Sequence, residues 1–90
     1  MPNLKLTKKN YPTLLAAFEI VAHDVDLSGP YLIPNQYLSR LQRMENALAV
    51  LSPETLETFC IGDLQEQEEI IEAYPPLAEV NDLINVHFGF

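Results

Sequence analysis

An all-α fold, a compact single-domain bundle of four to five short helices, is what this 90-residue sequence predicts, on three observations. Apolar residues recur at helical spacing in several segments, proline and glycine punctuate those segments at short intervals, and no stretch alternates convincingly as a strand. Ninety residues suffice for one core and not for two. Residues 1–90 therefore read as one helical domain, with residues 1–10 as a flexible N-terminal segment.

Helix one is expected to begin near Pro12, which fits a first helical turn, with Asn10 or Tyr11 just outside it. Leu14, Phe18, Val21, Ala22 and Val25 fall at i, i+4, i+7, i+8 and i+11, which places them on one buried face. The run ends in Asp26-Leu27-Ser28-Gly29-Pro30, where glycine and proline together break a helix. A loop from Ser28 to about Asn35 then carries Tyr31, Leu32 and Ile33. Three apolar residues in a connector either cover the ends of neighbouring helices or form an exposed contact site, a feature monomers seldom leave bare.

Helix two is expected from Pro34 or Asn35 to Leu51. Its stripe is Tyr37, Leu41, Met44, Leu48 and Leu51, widened by Leu38 and Ala47. Arg40 and Arg43 lie off this stripe and should face water or an acidic neighbour. Ser52-Pro53-Glu54 is a strong start for helix three: serine caps, proline fits the first turn, and glutamate complements the positive end of the dipole. Leu56, Phe59 and Cys60 make its buried face, and Gly62 is placed to end it in a left-handed conformation.

Asp63 caps helix four, with Glu66 three residues on as a capping-box partner. Helix four continues to Tyr74, burying Leu64, Ile70, Ile71 and Tyr74, and Pro75-Pro76 stops it. Helix five runs from about Leu77 to His87, with Leu77, Val80, Leu83, Ile84 and Phe88 inward and Glu79, Asp82 and Asn85 outward. Phe90, beyond Gly89, either docks on the bundle or is available to a partner.

Charge is distributed very unevenly along these elements. All five basic residues precede Met44 and meet only three acids there, whereas ten acids and no lysine or arginine follow. The formal balance is therefore +2 for residues 1–43 and −10 for residues 44–90. A surface of that sign attracts basic partners and repels phosphate and anionic lipid. Direct nucleic-acid binding is not expected, because phosphate neutralisation requires clustered lysine and arginine. Helices three and four have the outline of a helix-turn-helix, but the second would offer carboxylates to phosphate. No apolar run approaches the ~20 residues of a membrane span, and the N-terminal residues lack the apolar core of a signal peptide. Cys60 is the single cysteine, which excludes an intrachain disulfide and fits a reducing cytoplasm.

The chain offers no phosphate loop, nucleophile elbow or metalloprotease pair, so it reads as a non-enzyme without cofactor. Glu19, His23 and Asp26 share one face of helix one, a spacing that a divalent ion could use if His87 joined them. The pattern is short and common, the spacing reads as a solvated polar face, and no metal is expected. Cys60 sits among apolar and acidic neighbours, the setting of a structural thiol.

The expected contact surface is the acidic face of Glu66, Glu68, Glu69, Glu72, Glu79 and Asp82, with Tyr31, Leu32, Ile33 and Phe90 as apolar contacts. It implies an interaction module that binds a basic, nucleic-acid-binding protein. In its sharpest form this is an inhibitor or adaptor that imitates phosphates, of the kind a phage or other mobile element would encode. The alternative is a self-associating structural protein, a homodimer joined through Tyr31, Leu32 and Ile33 or through the helix-two stripe.

Overall fold

The computed structural model describes residues 3–25 and 29–89. In chain order the elements are β1 (Leu4–Lys5), α1 (Pro12–Val25), β2 (Leu32–Ile33), a 3₁₀ turn (Asn35–Arg40), α2 (Leu41–Ala49), α3 (Pro53–Ile61), α4 (Leu64–Ala73) and α5 (Leu77–Phe88). The all-α expectation holds, with a small addition. β1 and β2 pair antiparallel, Leu4 opposite Ile33 and Lys5 opposite Leu32. Residues 3–10, expected as a loose lead-in, thus include a strand, and Leu6 is buried just beyond it with its amide donating to the Tyr31 carbonyl at 3.0 Å. A two-residue strand carries too little alternation to be visible in sequence.

One core joins α1, α2, α3, α5 and β2 through Leu14, Phe18, Val21, Ile33, Leu41, Met44, Leu48, Phe59, Leu77, Val80 and Leu83. The Cα radius of gyration is 12.0 Å, the value expected for about 90 residues in one compact body. The helix-two pattern divides: Tyr37 is buried in the 3₁₀ turn, and Leu41, Met44 and Leu48 in α2. Because these residues fill the core, that stripe is not available as a dimer interface.

Helix ends follow local chemistry in two places. The Ser52 hydroxyl accepts from the Thr55 amide at 3.2 Å, and the Asp63 carboxylate accepts from the Glu66 amide at 2.9 Å. The Gly62 expectation is corrected: its φ of −73° and ψ of 176° are extended, not left-handed. Glycine is needed there for space, since a Cβ would lie 2.4 Å from the Thr58 carbonyl oxygen. The left-handed closure occurs instead at Gly89, φ 75°, whose amide donates to the Asn85 carbonyl behind α5.

α4 is the least buried helix. None of its residues is fully buried, Ile70 and Ile71 only lean on the core, and Leu64 (75% exposed) and Tyr74 stand in solvent, against expectation. The reason is geometric: Leu64 occupies the first turn, directly after the chain leaves α3, and none of the described elements covers it.

The candidate acidic surface and the α1–α3 groove

Glu68, Glu69 and Glu72 are exposed and span an arc of about 100° on α4, at 100° per residue. That arc lies opposite Gln67, Ile70 and Ile71, which turn toward the bundle. Glu66 is exposed on a flank of the helix, one turn from Asp63. Its carboxyl group is held above the usual range, first by the charge of Asp63, then by a hydrogen bond with it, and to a smaller degree by Glu69. The rise reflects like charges close together at one helix end. Among the described residues no lysine or arginine forms an ion pair with any carboxylate of α3 or α4.

Glu79 departs from its expected outward position. It is half-buried, and its Oε1 accepts from Arg43 Nη1 of α2 at 3.0 Å. Arg43 thereby finds the acidic neighbour anticipated for it, and Glu79 is withdrawn from the free acidic surface. Asp82 is exposed on α5, a different helix from the Glu68–Glu72 arc. Arg40 is also engaged, lying 5.0 Å from the Tyr37 ring centroid and donating to the Gln36 carbonyl at 2.9 Å.

The expected apolar contact separates into unlike parts. Ile33 is fully buried, Tyr31 is half-buried, and only Leu32 points outward, because β2 alternates its side chains across the ribbon. Tyr31 joins an aromatic cluster with Phe18, His87 and Phe88, the ring centroids of Phe18 and His87 lying 5.1 Å apart. Ile33 is therefore core, not contact. Phe90 lies outside the described residues.

His87 is not a partner for Glu19 and His23. Its Nδ1 lies 3.2 Å from the Leu32 carbonyl oxygen, and since a carbonyl only accepts, Nδ1 carries the proton. Burial lowers the imidazole pKa, a trend partly opposed by that hydrogen bond. Asp26 lies outside the described residues, and no three His, Cys, Asp or Glu side chains among the described ones converge to hold a metal ion. The Cys60 thiol is buried against the core and pushed up to about 12 by desolvation, the opposite of an activated nucleophile.

Two features were not anticipated. Glu45, counted among the acids of the second half, is buried and caps α1 (its Oε2 accepts from the Thr13 amide at 3.0 Å and its Oε1 from the Leu14 amide at 2.8 Å). The second is an open groove of about 370 Å³ between α1 and α3, lined by Glu19, Ile20, His23, Asp24, Glu57 and Ile61. The polar face of helix one was visible in sequence, but no local signal tied it to Glu57 and Ile61. That link needs the packing of α1 on α3.

The chain matches no protein-family model, and neither a curated protein nor a solved structure matches it. Among the described residues no helix is long and apolar enough to cross a membrane.

Proposed function

We propose that this protein is a non-enzymatic, cytoplasmic interaction module whose acidic α4 face binds a basic, nucleic-acid-binding protein and competes with nucleic acid for it. The observation that carries this reading is the arc of Glu68, Glu69 and Glu72, exposed on one side of a helix and without an ion pair to lysine or arginine among the described residues. Glu68 and Glu72 are about 6 Å apart along the helix axis, a regular row of anionic groups that a cationic groove can accept in place of phosphates. The raised Glu66 carboxyl supports the same reading, because a cationic partner would relieve that crowding of like charge. Glu79 is left out of this surface by its bond to Arg43.

The test is affinity capture from lysate with the wild type and with Glu68, Glu69 and Glu72 all changed to glutamine. The expected result is a set of basic proteins retained at low salt, released at high salt and absent with the triple variant. Retention of the same proteins by the triple variant would sink the proposal.

A second reading, self-association, has its own support in apolar side chains left in solvent: Leu64 at 75%, Val50 at 64% and Val86 at 53% exposed. It predicts a mass in sedimentation that rises with concentration and falls back on Leu64→Gln. A strict monomer at high concentration removes it.

A further inference from the structure

We propose that the groove between α1 and α3 receives an arginine side chain from an exposed segment of the basic protein partner. The inference rests on the basic-partner reading above and locates an anchoring contact for it on residues outside α4.

The groove combines two kinds of surface. Ile20 of α1 and Ile61 of α3 supply its apolar part, and Ile61 is 41% exposed. Glu19, Asp24 and Glu57 supply three carboxylates, all exposed, and among the described residues no lysine or arginine lines the space. An occupant that satisfies both must carry positive charge on an apolar stem. A lone metal ion does not fit that description: it would leave the isoleucines uncovered, and these carboxylates do not converge as ligands. An anion is opposed by the charge, and a purely apolar side chain would strip water from carboxylates without replacing it.

Arginine meets the requirement. Its methylene stem can lie on Ile20 and Ile61 while the head remains at the rim. The planar guanidinium presents five donors in a fork, so it can address carboxylates that stand on different helices, Glu19 or Asp24 of α1 and Glu57 of α3. At about 370 Å³ the groove is near the small end of ligand sites, room for one long side chain rather than a whole helix. The backbone beneath it is well held. α1 and α3 bury Phe18, Val21, Phe59 and Cys60 into the common core, so the groove is preformed.

The experiment is a titration of the ¹⁵N-labelled protein with a capped Gly-Ser-Leu-Arg-Ser-Gly peptide, followed by amide chemical shifts. The control is the same peptide with citrulline, which keeps the shape of arginine and removes its charge. The expected result is saturable shifts at Ile20, His23, Glu57 and Ile61 with a dissociation constant on the order of 1 mM. These should vanish with citrulline and weaken by up to about five-fold in Glu57→Gln, an exposed position whose change leaves the fold intact. Absence of shifts at the groove, or equal shifts with the citrulline peptide, overturns the inference. Failure of the α4 reading is seen separately, as unchanged capture by the glutamine triple variant, which leaves all groove residues in place.

Discussion

Glu45 of α2 holds the first turn of α1 through the amide of Leu14, at 2.8 Å and 31 positions away in sequence. With Thr13 as the second donor, one buried carboxylate satisfies two of the amides that a helix start leaves unpaired. α1 opens on Pro12, and a side chain of a neighbouring helix caps it. The interaction is charge-assisted, and it places a negative group at the positive end of the helix dipole. Glu45→Ala should therefore cost about 1.5–3 kcal/mol, the loss of a buried charged acceptor from two amides. In a domain of this size that lowers Tm by roughly 6–24 °C. Glu45→Gln, which keeps one acceptor, should lose less, and an unchanged Tm in the alanine variant would show that water replaces the carboxylate without cost.

Gly62 should tolerate no side chain. Gly62→Ala brings a methyl group against the Thr58 carbonyl oxygen, which is backbone and cannot rotate away. The turn between α3 and α4 must open, at a cost of about 1–3 kcal/mol by analogy with overpacked sites. Chemical denaturation of the variant measures this. A neutral result would mean that α4, lightly buried as it is, shifts freely to make room.

The aromatic cluster should respond to pH through His87. Its folded pKa lies below the ordinary value of 6.5, because burial disfavours the imidazolium. The unfolded chain therefore binds the proton first as pH falls. The stabilising contribution is fully present above about pH 6.5 and is lost progressively as pH drops toward the folded value. Denaturation midpoints at pH 7.5 and pH 5.5 should differ more in the wild type than in His87→Asn, whose amide can still donate to the Leu32 carbonyl. Equal differences in the two proteins would remove His87 as the cause.

Charge crowding on α4 should be relieved by one substitution. Glu72 lies in the last turn, where a negative side chain opposes the helix dipole, and it follows Glu68 at i+4. Glu72→Lys reverses both effects and should raise Tm modestly in low salt, with the gain shrinking in high salt. If binding to a basic partner falls in the same variant while stability rises, the acid at this position serves contact rather than folding. A Tm unchanged at low salt would show that water already screens this face fully.

The sequence by itself determined what acts over one or two helical turns. The spacing of Leu14, Phe18 and Val21, of Leu41, Met44 and Leu48, and of Leu77, Val80 and Leu83 marked faces that are all buried. Ser52 and Asp63 could be read as caps because each accepts from an amide only three residues ahead. The exposure of Glu68, Glu69 and Glu72 was legible for the same reason, as the far side of a helix whose apolar face was plain. Only the tertiary structure decided the remainder, where a residue's role depends on what comes to lie across from it. Glu45 and Glu79 look like further solvated acids until α2 is set against α1 and α5, which makes one a cap and the other an ion-pair partner. Ile33 is core and Leu64 is bare because β2 is covered by the bundle and the first turn of α4 is not. The groove belongs to this second kind, since its isoleucines and carboxylates come from two helices and its α1 and α3 residues are more than thirty positions apart in the chain.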